Sequence, residues 1–313
     1  MNYTEFTDAI VKNTQNAAGK ESRIFINQVV KNNNTRLDGL VIMEKDRNMS
    51  PTIYLNDFYP KYKKGMSIEK ITDEILSGYY NYRDTFDMNT DFLSSFENVR
   101  EKIAYKLINR KMNEELLKKI PHKTFLDLAV VYYIYLSDKD GALASTLIYN
   151  SYLEAWETDL KTIDEQARIN TPKLFKARIR PIDRILENAE NNSVSGLKAE
   201  DEIDESDYTF PESLKLCDPY KSMYVLTNES GLHGAACILY KRPLSLFGKK
   251  INRDFYVLPS SVHEVIIVPK FSDLRKEDLS CMVRDINKTG VSPEEVLSDN
   301  VYEYDISTDT LKM

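Results

Sequence analysis

The chain has 313 residues, long enough for one large domain or two to three ordinary ones. A hydrophobic content of 42% beside 29% charged residues excludes a disordered chain, and no apolar run reaches the roughly 18–20 residues needed to span a bilayer. The net charge of −7 is local: nine acidic residues and one lysine fall between Leu186 and Glu212, and the remainder is near neutral. No basic surface for duplex nucleic acid is implied.

From the N-terminus, residues 3–14 carry Phe6, Ile10 and Val11 at helical spacing. The opening residues lack the basic and apolar regions of a signal peptide. Two β-like runs, 24–30 and 37–43, flank Asn32-Asn33-Asn34, residues that tolerate left-handed turns. A short strand over 52–55 precedes a helix over 68–79 that Ser67 caps. Residues 92–109 are mixed and periodicity does not assign them. A short helix over 114–119 ends before Pro121. Strands over 126–136 and 143–149 are joined by Asp138-Lys-Asp-Gly141, a hairpin signal. A helix over 152–169 is expected to stop at Asn170-Thr171-Pro172, and Pro181 suits the first turn of another helix over 182–190.

Residues 191–212 hold few large apolar side chains and read as an acidic linker. Beyond it, strands are expected over 223–227 and 235–240, a helix over 244–251, and strands over 255–258 and 262–268. A helix over 274–287, a short helix opened by Pro293 and a terminal strand over 301–306 complete the chain. The pattern is α+β: repeated β-hairpin–helix units form antiparallel sheets with helices packed on one face. The units near 126–169 and 255–287 are the most alike. The expected division is an N-terminal subdomain over 1–90, a middle one over 91–190, the linker, and a C-terminal one over 213–313.

Three cysteines, Cys217, Cys237 and Cys281, are odd in number and form no CxxC pair, which suits free thiols in a reducing cytoplasm. Twenty tyrosines and 23 asparagines are spread along the whole chain, which points to codon bias, not to a binding surface.

Leu258-Pro-Ser-Ser-Val-His-Glu-Val-Ile-Ile-Val-Pro269 concentrates groups capable of chemistry in a β-like run, including one of only three histidines. Ser261, His263 and Glu264 are the catalytic candidates. A nucleophilic serine needs a base within reach, and the base needs an orienting acid. On a regular strand Ser261 and His263 share one face while Ser260 and Glu264 share the other, so no contiguous triad forms. Nor does a Gly-x-Ser-x-Gly elbow present the serine. The simpler reading makes Pro259-Ser260-Ser261 a corner whose hydroxyls satisfy backbone groups, with His263 and Glu264 each finding a partner. His233 and Cys237, four apart, would need His263 to complete a metal set. No paired motif supports one, so no metal is assigned. Gly231-Leu-His-Gly234 lacks the Gly-Lys-Ser end of a phosphate loop, and no cofactor is implied. Arg178, Arg180 and Arg184 read as solvated charges near helix ends.

Several phrases together resemble a bacterial family of unknown function found in Clostridia and related Firmicutes. They include Leu37-Asp-Gly-Leu40, Ser50-Pro-Thr-Ile-Tyr-Leu55, Ile120-Pro121-His122, Asn170-Thr-Pro172, Tyr224-Val-Leu-Thr-Asn228, Gly234-Ala-Ala, Leu258–Val265 and Val296-Leu-Ser-Asp299. The resemblance spans nearly the whole chain. It implies a cytoplasmic protein of anaerobes, often from mobile-element neighbourhoods, and carries over no catalytic residue. The resulting expectation is a non-enzymatic interaction or accessory protein with an unidentified protein partner, no membrane association and no main role in nucleic-acid binding. Its alternatives are a hydrolase using His263 with Ser261, and nucleic-acid mimicry by residues 186–212.

Overall fold

The computed structural model describes residues 1–19, 21–45, 50–82, 90–139, 142–182, 185, 223–271 and 275–313. The acidic segment 186–212, Arg184, Cys217 and most of the helix expected over 182–190 lie outside them. The fold is α+β, its described strands arranged in three antiparallel sheets. The chain forms two compact units, Met1–Asp91 and Phe92–Met313.

The first unit opens with α1 (Tyr3–Ala18). Its N-terminus is fixed by a capping box in which Asn2 Oδ1 accepts from Glu5 N and Glu5 Oε2 accepts from Asn2 N, both at 2.9 Å. Strands β1 (Arg23–Val30), β2 (Arg36–Met43) and β3 (Thr52–Tyr54) form a sheet in sequence order. Asn33 and Asn34 adopt positive φ in the β1–β2 connection, as their side chains permit. After α2 (Tyr59–Lys63), α3 (Ile68–Tyr82) places Ile71, Ile75 and Tyr79 against Phe6, Ile10, Leu40 and Ile42. That apolar face closes the unit's core.

The second unit starts with α4 (Phe96–Val99) and β4 (Ile103–Asn109), which settles the mixed stretch 92–109. Helix α5 (Glu114–Leu117), β5 (His122–Phe125), β6 (Leu128–Lys139) and β7 (Ala142–Leu147) follow. Strand β6 is central, pairing with β4, β5 and β7. One face of this sheet, with Tyr105, Leu107, Val130 and Tyr132, enters the main core.

The helix expected over 152–169 is two helices, α6 (Asn150–Ala155) and α7 (Leu160–Leu174). Glu157 has φ 50°, and Asp159 restarts the helix by accepting from Thr162 N at 2.8 Å. Asn170-Thr171-Pro172 does not stop α7. Asn170 Nδ2 instead donates to the carbonyls of Arg100 and Ile103, and Thr171 Oγ1 accepts from Tyr105 N. These bonds hold the helix end to β4, so the helix runs on through Pro172, which sits in its last turn.

Pro181 ends the edge strand β8 (Ala177–Pro181), where a missing amide is tolerated, and Ile182 and Ile185, the described residues of the helix expected over 182–190, are helical. Strand β9 (Tyr224–Asn228) pairs with β8, so one sheet is built from both sides of residues 183–222. The strand expected over 235–240 is a 3-10 helix, Gly234–Leu239, entered through His233 at φ 57°. Then come α8 (Pro243–Ile251), β10 (Phe255–Leu258), β11 (Val265–Pro269), α9 (Lys276–Thr289), β12 (Tyr302–Asp305) and β13 (Thr310–Lys312). The sheet order is β13-β12-β10-β11-β9-β8. Phe247 of α8 packs edge-on against Tyr224 and Phe255 on one face. Leu279 and Val283 of α9 cover Tyr256, Leu258 and Val268 on the other.

Candidate functional site

The strand expected over 262–268 begins only at Val265, and residues 259–264 form a loop between β10 and β11. Strand alternation therefore does not govern Ser260, Ser261, His263 and Glu264. The backbone of this loop is instead paired with residues 295–298. Val262 N donates to Glu295 O, Leu297 N to Ser260 O and Ser298 N to Pro259 O, each at 2.9 Å, with a bridge between Ser261 and Val296. Pro293 opens no helix; residues 292–296 make a turn closed by Glu295 N on Ser292 O. That turn carries Glu295 to His263.

His263 is held from four directions. Its Nε2 lies 3.3 Å from Glu295 Oε1, and its Nδ1 accepts from the backbone N–H of His233 at 3.4 Å. Its own amide donates to Ser261 Oγ at 3.0 Å, and its carbonyl accepts from Thr227 Oγ1 at 2.8 Å. With Nδ1 accepting, the ring proton sits on Nε2, where it faces the Glu295 carboxylate. The ring is 21% exposed and stacks on His233 at a centroid distance of 6.0 Å.

Ser261 is buried and its Oγ accepts from the His263 amide. It is a corner hydroxyl of the kind that satisfies a tight turn. Burial pushes the Glu264 carboxyl above its usual range; nearby Glu295 adds to this, while His263 and Ser261 oppose it. Burial, then the positive charge of Lys106, pulls His233 well below the ordinary histidine value. His233 Nδ1 is buried with no hydrogen-bond partner among the described residues, and its ring meets Tyr133 edge-on at 5.8 Å.

The backbone reaches this packing because Gly234 has no side chain. A Cβ there would lie 2.2 Å from Thr227 Oγ1, 2.5 Å from His263 O and 2.7 Å from Asn228 N. Asn228 Nδ2 donates to Leu232 O at 2.9 Å, and its Oδ1 accepts from Ser230 Oγ, closing the turn before His233.

The arrangement brings Ser261, His263 and Glu264 together, sets against them His233, which the sequence raises only as a metal candidate, and adds Glu295, which the sequence does not flag. Glu295 lies 32 residues from His263, and no spacing rule links them. Cys237 does not join the histidines: it is fully buried, its Sγ donates to Thr227 O, and burial raises the thiol to about 12. Thiolate ligation is disfavoured there. Among the described residues no group of three or more His, Cys, Asp or Glu side chains could hold a metal ion.

Two further polar clusters stand apart from the histidines. Asp164, with a side chain only 5% exposed, accepts from Lys123 Nζ at 2.6 Å, Tyr132 OH at 2.8 Å and Arg168 Nε at 2.9 Å. Burial opposes its ionisation, but these three donors outweigh it and hold the carboxyl below its usual range. Asp127 accepts from Ser298 Oγ, Asn300 Nδ2 and Tyr302 OH, tying the β5–β6 turn to the residues before and within β12.

Four of the phrases that carry the resemblance, 224–228, 234–236, 258–265 and 296–299, meet around His263. A family model described as a family of unknown function, DUF5688, matches residues 3–306. The chain belongs to this family. No curated protein and no solved structure matches it. Membership in DUF5688 covers both compact units and brings no activity with it. No described helix is long and apolar enough to cross a membrane.

Proposed function

We propose that the protein is a non-catalytic interaction or accessory protein whose histidine loop is an internal lock. One observation carries this reading: both ring nitrogens of His263 are occupied, one by a backbone amide and one by Glu295. A general base must keep one nitrogen free for the proton it takes. Ser261, the nucleophile the sequence offers, is buried and receives the amide of His263 itself. Unpaired thiols at Cys237 and Cys281 support a reducing cytoplasm as the place of action. Service to a mobile element belongs to the same reading and rests on the family resemblance.

The alternative is a hydrolase in which Glu295 orients His263, since a carboxylate on an imidazole is half of a triad. It requires the His233 amide to release Nδ1 and a nucleophile other than the buried Ser261. The full chain tested against ester, amide, phosphoester and glycoside substrates separates the two readings. No turnover that depends on His263 is expected. Turnover present in wild type and lost in His263→Ala would overturn the non-catalytic reading.

A further inference from the structure

His233 gathers several unfavourable features in one residue. It holds a left-handed backbone at φ 57°, a conformation that a residue with a side chain adopts at a cost. Its Nδ1 is buried and has no hydrogen-bond partner among the described residues. Its ring meets Tyr133 edge-on at 5.8 Å and stacks on His263 at 6.0 Å. Backbone strain of this kind persists only where the surroundings enforce it, and it collects at sites that switch.

The ties that hold His233 are longer than those of the loop it rests on. His233 N reaches His263 Nδ1 at 3.4 Å and Ala235 N reaches Val262 O at 3.3 Å. The bonds that close the histidine loop onto residues 295–298 are all 2.9 Å. Gly231 and Gly234 bracket Leu232 and His233, and the turn before them is closed on itself by Asn228 and Ser230. The short segment 231–234 can therefore come away while the histidine loop and β9 stay paired.

An imidazole that takes a proton carries an N–H on both nitrogens. In His233 this puts a donor at the buried Nδ1 and a charge near the Lys106 ammonium of β4. Burial and that ammonium both oppose the proton. Tyr133 of β6 offers no negative charge in return, because burial raises its hydroxyl. Of the two carboxylates in the histidine loop's surroundings, Glu295 is engaged on His263 Nε2. Glu264, raised by burial, takes its proton more readily in the closed form and so favours closure in acid.

We propose that His233 is an acid-released latch: protonation expels its ring from beside Tyr133 and His263, breaks the two long bonds and bares His263 Nδ1, while the sheet stays paired. Release also relieves the left-handed backbone at residue 233. The latch deepens the reading of His263 as a lock and rests on it, because the bond that gives way is the one from the His233 amide to His263 Nδ1.

Amide hydrogen exchange of the full chain, read by NMR at pH 7.5 and pH 5.5 and corrected for the chemical exchange rate, tests the latch. At pH 7.5 the His233 and Ala235 amides are expected to be at least about tenfold less protected than those of β10 and β11, as a local opening requires. At pH 5.5 their protection should fall by about a further tenfold. That is the linkage factor for a ring that stays neutral when closed and titrates at the ordinary value when open. His233→Asn and His233→Gly both suit a left-handed backbone, and each should lose the acid effect. Protection in wild type that is independent of pH overturns the latch. So does protection equal to that of β10 and β11, or a tenfold acid loss that persists in either variant. His263→Ala reads the lock separately, through lower protection of Ala235 at pH 7.5. That loss without an acid effect in wild type overturns the latch alone; no loss in His263→Ala overturns lock and latch together.

Discussion

His233 and His263 lie with their rings nearly parallel, 8° apart in plane and 6.0 Å between centroids, while the backbone amide of one donates to Nδ1 of the other. Burial, with the nearby Lys106 ammonium, favours a neutral His233 in the folded protein. The unfolded chain takes up a proton at the ordinary value near 6.5. Below that pH the unfolded state binds more protons, so stability rises with pH and falls as pH drops below about 6.5. Urea unfolding at a series of pH values should show this slope. His233→Asn, which keeps a residue suited to the left-handed backbone, should flatten it. An unchanged slope in the variant would assign the dependence to other groups.

Gly234 fixes how closely this turn approaches β9 and the histidine loop. Two of the three atoms a Cβ would strike, His263 O and Asn228 N, are backbone and cannot swing away. Gly234→Ala should therefore destabilise by about 3 kcal/mol or more, at the upper end of overpacking effects. Gly78, with open space around its Cβ position, provides the control. In a helix interior Gly78→Ala should stabilise by about 0.5–1 kcal/mol. Thermal melts of the two variants should move in opposite directions.

Asp164 accepts three donors at a site its side chain scarcely shares with water. Its depressed pKa contributes stability that is complete above the ordinary carboxylate range and is lost as pH falls through the folded value. Asp164→Ala leaves the buried Tyr132 hydroxyl without its acceptor and should cost roughly 3 kcal/mol. Lys123 is 41% exposed, so Lys123→Ala should cost under about 1 kcal/mol. Denaturant midpoints of the two variants test this asymmetry. Equal losses would mean that Lys123 contributes more than an exposed charge does.

Much of the fold was legible because it rests on local rules. The asparagines at 32–34 turn the first hairpin, and apolar spacing in α1, α3 and α8 marks buried faces. Misreadings arose where distant groups override local preference. Val262-His263-Glu264 looks like strand, but backbone bonds to Glu295, Leu297 and Ser298 hold residues 259–262 as a loop edge. Residues 235–240 look like strand because they are apolar, and the close approach at Gly234 winds them into a 3-10 helix instead. Asn170 and Thr171 read as a helix stop, yet their side chains satisfy β4 and the helix continues. For the site, Ser261, His263 and Glu264 could be found from residue type. Glu295 could not: it is joined to them only by the packing of the 292–296 turn, and His233, which the sequence raises as a metal candidate, meets His263 as a stacked ring instead.

A His263 that serves as a lock, and not as a base, must contribute to stability. Denaturant unfolding of the full chain as wild type and as His263→Ala tests this most directly. The variant loses the acceptor for the half-buried His233 amide, the contact with Glu295 and the stack on His233. Its unfolding midpoint should fall by the equivalent of about 2 kcal/mol with an unchanged denaturant slope. A midpoint equal to or above that of wild type would contradict the lock and favour a histidine kept for chemistry at the expense of stability.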